Sequence, residues 1–499
     1  MVPGGFALAA FLLYLVPGLV GPYGPFIDEV YYVACAKRLA WGYVDHPPLG
    51  PFLLRLGMEV GGDRLVVLRV LASIFGAATV LGTGLLAARL GAGRLGQGIA
   101  SAATLTAPIA QVLFGFYSMT AIEPLLWLAA CWILVEIAAG RHPAWWLALG
   151  LVLGAATMTK HTAIMFAGAL GLGLLMVPSA RKHLATPWPW LGAACAALMV
   201  APNVWWQAQH GWPSLEFYRN AALHKNQPAG PLQVLWQQVV YMGPGTLPVW
   251  VAGLAAVLRR PRAIDLRHIG LAYVVLLGLL VASGQSRPDR LTGIYPVLFA
   301  AGGSALGGMV ASRRGWRPVL IAWVAAWGAL LLPIGVPILP PAQLSAYAGA
   351  IGVVPQMERG EGKRSALPQW FADRLGWDAL VDDVAAVREG LTPDERQEVM
   401  VFGPSYGQAG ALEWLGGLED VYSTHNSYHL WGPPPHDPAV AIVIGERRES
   451  LEQIFDRVDL ARLHECGLCM PWRNRMPIWV VRGPRVSLTA RWHEWRHYE

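Results

Sequence analysis

The sequence predicts an all-α polytopic membrane bundle, residues 1–340, carrying a small C-terminal α/β domain, residues 341–499, outside the membrane. Three observations carry that reading. The chain is 55% hydrophobic and only 14% charged over 499 residues, a composition for which the bilayer rather than water is the main solvent. Its apolar residues fall in runs near the ~20 residues that a helix needs to cross the hydrocarbon core. Beyond residue 340 the runs stop and charge density rises to that of a soluble domain.

About eleven runs qualify as spans by that length rule: 6–20, 65–90, 97–116, 124–139, 144–158, 163–177, 188–206, 234–258, 269–283, 291–311 and 319–335. The first is read as a retained helix rather than a cleaved signal peptide, because no basic segment precedes it and no small-residue cleavage site follows it. Between it and the second run, residues 28–41 are long enough for a further helix, expected to lie in the membrane interface. Pro333, Pro337, Pro340 and Pro341 mark the exit from the bundle. Strand-like pieces at 399–402, 440–445 and 478–482, with 407–415 and 451–458 between them, give the tail its α/β character.

Charge sorts the connections into two sets. One set is basic: Arg89, Arg94, Arg141, Arg181, Lys182, Arg259, Arg260, Arg262, Arg267, Arg313, Arg314 and Arg317, with Asp265 as its only acid. Cationic loops stay cytoplasmic, so this set faces inward and the net charge of +6 is topological. The other set mixes Asp28, Glu29, Asp45, Asp63, Glu123, Glu216 and Asp289 with Lys37, Arg38, Lys160, Arg219, Lys225, Arg287 and Arg290. No block of like charge is long enough for a nucleic-acid arm. Cys35, Cys131 and Cys195 sit in or beside apolar helices as small fillers, whereas Cys466 and Cys469 have the spacing of a disulfide or redox pair.

Acids at a membrane face cost free energy and need a function or a partner. Asp28 stands just after the first span, either as an N-cap or as a general base facing a cavity. Glu29 beside it points about 100° away on a helix, so it holds a neighbour or a metal. Asp45 and His46 precede a stiff Pro47-Pro48 turn. They are a loop pair, a phosphate contact, or two ligands of a divalent ion that would need a third from elsewhere. Arg287 and Arg290 precede a helix where a lipid phosphate would lie, and a guanidinium fork suits that ligand, the alternative being that they snorkel to lipid headgroups. Lys160 interrupts two apolar halves and must meet an anion or water, while Glu123 opens an apolar helix ahead of Pro124. The segment 205–231 joins aromatics suited to sugar faces or to interfacial anchoring with Arg219 and Lys225, suited to phosphate. Together these groups supply what sugar transfer from a lipid phosphate needs: a carboxylate, cations for the leaving phosphate, and a rigid cavity.

Several stretches also carry a family likeness: Asp28-Glu29-x-Tyr31-Tyr32, Gly42-Tyr43-x-Asp45-His46-Pro47-Pro48-Leu49, Thr159-Lys160-His161, Asn203-x-x-x-Gln207 with Gly211-Trp212-Pro213, Tyr295-Pro296, and His425-Asn426-Ser427-Tyr428. In these the chain resembles the bacterial integral-membrane glycosyltransferases of the dolichyl-phosphate-mannose protein mannosyltransferase and aminoarabinose transferase type, the GT-C superfamily. The resemblance implies a helical bundle with interfacial helices in its first outer loop and a variable C-terminal domain. It also implies a polyprenyl-phosphate-linked sugar donor, inversion at the anomeric centre, and Asp28 as the catalytic acid-base group. Glu29, Tyr31, Asp45, His46, Glu123, Lys160, Lys225, Arg287 and Arg290 follow as substrate-binding candidates. The acceptor expected is a lipid, glycan or protein at the outer face of the bacterial cytoplasmic membrane. No cofactor is demanded beyond a candidate divalent ion at Asp45 and His46. A lipid-linked sugar transporter is the rival, favoured by the depth of Lys160. A non-catalytic glycan-binding scaffold is a third reading.

Overall fold

The computed structural model describes residues 2–259, 264–285, 287–313, 315–353 and 365–499. Arg260, Arg262 and Arg314, read above as inward-facing cations, lie outside the described residues. Each apolar run forms helix. The first is α1 (Val2–Val20), and the connection from it to the next long helix holds α2 (Ile27–Lys37) and α3 (Leu49–Gly61). Then follow α4 (Leu65–Arg89), the broken pair α5 (Arg94–Thr106) and α6 (Pro108–Phe114), α7 (Met119–Ala138), α8 (Trp145–Thr159) and α9 (Thr162–Met176). Further helices occupy Pro187–Gln209, Pro231–Met242, Leu247–Leu258, Arg267–Ala282, Tyr295–Ser312 and Trp316–Gly335. By length and composition five helices among the described residues are long and apolar enough to cross a membrane, and up to seven if each of two sharply bent pairs counts as one span.

Packing relies on small residues where helices cross. A Cβ at Gly253 would collide with the Leu298 carbonyl, and one at Gly302 with the Val249 carbonyl, so helices Leu247–Leu258 and Tyr295–Ser312 meet backbone to backbone. The two charge sets separate to opposite ends. At one end Arg89 and Arg141 share the Glu136 carboxylate, and Ser179 reaches Asp265. At the other, Lys37 pairs with Asp63, Lys160 with Asp289, and Arg496 with Glu216.

The C-terminal region builds one five-stranded sheet, ordered β2-β1-β3-β5-β4, from β1 (Met400–Phe402), β2 (Val421–Tyr422), β3 (Val440–Ile444), β4 (Phe455–His464) and β5 (Met476–Pro484). The first three run parallel and the last two antiparallel. Helix Trp377–Glu389 and helix Tyr406–Trp414 cover it, and Cys466 and Cys469 are joined as a disulfide.

Helix α2 departs from the expectation of an interfacial helix: every residue from Glu29 to Ala36 is buried. Its Tyr32, Val33 and Ala36 join the core of the bundle, while Val30, Tyr31, Ala34 and Cys35 join the core of the C-terminal region. Protein thus covers both faces of this helix. Helix α3 instead buries Gly50, Pro51 and Leu54 and exposes Phe52, Leu56 and Val60, the apolar face that an interfacial helix needs.

Candidate active site

The two adjacent acids at the start of α2 have opposite fates. Glu29 is fully buried and pairs with the equally buried Arg69 of α4. It also accepts the backbone N–H of Phe26 and of Tyr117, each at 2.8 Å. Arg69 in turn donates to the carbonyls of Gly18 and Gly24. Glu29 therefore caps α2 and clasps it to the bundle. Capping being done by Glu29, Asp28 is released from that duty. Half-buried, it accepts a hydrogen bond from the Tyr406 hydroxyl, 3.0 Å from its Oδ1. Burial pushes its carboxyl up to about 7; the Lys225 charge and the Tyr406 bond oppose that rise, while Asp45 and Asp373 add to it.

Tyr31 stands one helical turn further along α2. Its hydroxyl donates to Asp45 Oδ1 at 2.9 Å and lies 2.7 Å from Ser427 Oγ. Asp45 is thus held from α2 and, through Tyr31, from the C-terminal region. His46 is fully buried, stacked on Tyr32 with ring centroids 4.6 Å apart, with Nδ1 3.0 Å from the Pro47 carbonyl oxygen. Its Nε2 lies 4.0 Å from Asp45 and 3.9 Å from Cys35 Sγ. Among the described residues no group of three or more His, Cys, Asp or Glu side chains gathers around Asp45 and His46.

Deeper in the bundle, Lys160 Nζ donates to Glu123 Oε2 at 3.0 Å and stands 3.8 Å from Asp289. Thr162 also donates to Glu123. This network ties α7, α8 and α9 to the segment 287–290, satisfying the charge that interrupts the two apolar helices. Arg287 Nε donates to Asn226 Oδ1 at 2.7 Å, fixing 287–290 against the loop that follows Lys225. Arg290 lines a small niche of about 30 Å³ together with Thr162, Ser283, Trp127, Met165, Leu276 and Leu280.

Sequence reasoning passed over three groups here. Tyr218 holds His161 Nδ1 at 2.8 Å and lies within electrostatic reach of Asp45, Arg290 and Glu123. Ser427 anchors Tyr31, and Tyr406 meets Asp28. The last two come from the other end of the chain: Ser427 lies in the stretch His425–Tyr428 noted for its family likeness, and Tyr406 immediately precedes the piece 407–415.

Comparison with known proteins fits this arrangement. The family model described as dolichyl-phosphate-mannose-protein mannosyltransferase matches residues 45–206. The lipid A galacturonosyltransferase RgtD of Rhizobium johnstonii is 28% identical over 188 residues, a match that spans 37% of this chain and 39% of that relative. Among solved structures, ArnT from Cupriavidus metallidurans bound to undecaprenyl phosphate superposes with a TM-score of 0.63 at 15% identity, covering 95% of this chain and 97% of that one. The Archaeoglobus fulgidus oligosaccharyltransferase, tethered to an acceptor peptide, gives 0.51 at 14% identity, covering 83% of this chain and 63% of that one. Residues 45–206, which include α3, are thus similar to the dolichyl-phosphate-mannose-protein mannosyltransferase family, and the fold of the chain is that of the integral-membrane ArnT.

Proposed function

We propose that the chain is an inverting glycosyltransferase that moves a sugar from a polyprenyl-phosphate carrier to a hydroxyl of a membrane glycolipid, at the outer face of the cytoplasmic membrane. The observation that carries the reading is the division of labour between Asp28 and Glu29. A carboxylate excused from capping, half-buried and pushed up to about 7, is poised to take a proton near neutral pH.

In the step proposed, the acceptor oxygen attacks the anomeric carbon from the face opposite the phosphate. The bond from that carbon to the phosphate oxygen breaks, and its electron pair leaves with the polyprenyl phosphate. The acceptor proton passes to Asp28. Lys225, within electrostatic reach of Asp28, and Arg290, near Thr162 and Ser283, are assigned to the departing phosphate. Glu29, Tyr31, Glu123 and Lys160 are assigned to holding this frame. The choice of a glycolipid acceptor is supported by the lipid A substrate in the name of the rhizobial relative.

Transport is less well supported, because the buried Lys160 that favoured it is neutralised by Glu123 rather than left for a cargo ion. The experiment is sugar transfer in detergent, where no sealed compartment exists. The purified chain, given a labelled polyprenyl-phosphate sugar and a lipid A acceptor, should form a covalent glycolipid product. Movement across vesicles without any such product would favour the transporter.

A further inference from the structure

We propose that Tyr406, carried by the C-terminal region, is a positioning residue for the reaction: its hydroxyl holds Asp28 Oδ1 so that Oδ2 faces the incoming acceptor. The inference rests on Asp28 being the general base and extends the active site into a region that is otherwise only a cover.

Tyr406 is fixed from every side. Its ring stacks on Tyr31, with centroids 4.5 Å apart and planes 27° from parallel, and on His425, at 4.9 Å and 14°. Its backbone N–H points to His425 Nδ1 at 3.3 Å. It opens the helix Tyr406–Trp414, whose first turn is capped by Ser405 accepting the Gly407 N–H. That helix lies directly on α2 because two positions lack a Cβ: one at Gly410 would stand 2.8 Å from the Val30 carbonyl oxygen, and one at Gly407 would press on Ile27. With ring and backbone immobile, the hydroxyl has one geometry, 3.0 Å from Asp28.

A carboxylate that acts as base must present one oxygen to the acceptor while the other is occupied. An unrestrained Asp rotates about its terminal torsion and offers either oxygen. The phenol removes that freedom at no cost of reorganisation, and donates to the charged form of Asp28, favouring it. Burial, with the Asp28 and Asp45 charges, raises the Tyr406 phenol well above its ordinary range, so it stays a donor throughout the working pH. The charged and titratable groups around Asp28 are Lys225 from the 221–225 turn, Asp45 from the connection between α2 and α3, Asp373 from the segment before helix Trp377–Glu389, and Tyr32 on α2 itself. Only Tyr406 is hydrogen-bonded to it among the contacts described.

The test is Tyr406→Phe in the full-length, detergent-purified chain. Both ring stacks remain, so thermal unfolding should match the wild type. Loss of a hydrogen bond to a charged group should lower kcat by roughly tenfold or more. The KM for the polyprenyl-phosphate sugar should be unchanged, and the acid limb of kcat against pH should move upward. A merely structural tyrosine would leave the limb where it is. Wild-type kcat with an unmoved limb in Tyr406→Phe, beside an inactive Asp28→Asn, would overturn this inference alone. Full activity in Asp28→Asn would overturn it together with the assignment of the base.

Discussion

Two neighbouring acids with opposite roles make a sharp prediction, tested by substituting each in turn. Glu29 is fully buried against Arg69 and accepts two backbone N–H groups, so Glu29→Gln leaves a buried guanidinium without its counter-charge. Removing one partner of a buried pair costs about 3–5 kcal/mol, because the other charge is stranded. Arg69→Met strands the carboxylate and should cost a similar amount. The double variant Glu29→Gln, Arg69→Met has no charge left to strand, and Gln keeps an oxygen for the N–H groups. It should therefore recover at least about 2 kcal/mol relative to the sum of the single changes. Asp28→Asn should behave in the reverse sense. A carboxyl pushed up in the fold binds more protons folded than unfolded between its ordinary range and about 7, so its charge erodes stability as pH rises through that window. The Asn variant escapes this and should gain on the wild type from about pH 5 to pH 8. Denaturant unfolding in detergent micelles, followed by tryptophan fluorescence, measures all four. Additive losses below about 1 kcal/mol at Glu29 and Arg69 would mean a solvated pair and would refute the clasp.

Activity supplies three further expectations. The rate of transfer should fall about tenfold per pH unit below about 7, where Asp28 is protonated, and level off above it; a flat profile from pH 5 to 8 would exclude Asp28 as the titrating base. Gly410→Val should push helix Tyr406–Trp414 away from the Val30 carbonyl, lengthening the bond from Tyr406 to Asp28 and lowering kcat, while the bundle keeps its wild-type unfolding temperature. Arg290→Ala should raise the KM for the polyprenyl-phosphate donor by roughly tenfold or more with a smaller effect on kcat, read by steady-state kinetics at varied donor, if Arg290 holds the carrier phosphate as proposed.

Much of the fold was legible because bilayer solvation writes itself into composition. Each apolar run lies on helix, and the segregation of Arg89 and Arg141 from Asp28 and Asp45 follows the charge sorting of the loops. Asp28 stood out for a related reason: where charge is scarce, each carboxylate needs an explanation. Lys160 likewise demanded an acid, though only the fold could name Glu123. Other features resisted reading for definite causes. Helix α2 looks amphipathic to a surface rule, yet it is covered on both sides, and a one-dimensional pattern cannot report a second covering layer brought in from residues 377–431. Helix α3 hides behind the Pro47-Pro48 turn, which reads as loop. The contacts of Tyr406 with Asp28 and of Ser427 with Tyr31 span 378 and 396 positions, and no local periodicity encodes a partner that far away. Which of Asp28 and Glu29 would cap the helix depended on a reach of three residues back to Phe26, decided by side-chain length and by Arg69 waiting on α4.

The most direct test of the account is mass spectrometry of the glycolipid formed in detergent from a polyprenyl-phosphate sugar by Asp28→Asn beside the wild type. The account predicts that the variant folds, still binds the donor and forms no detectable product. Glycolipid accumulating at the wild-type rate would contradict it.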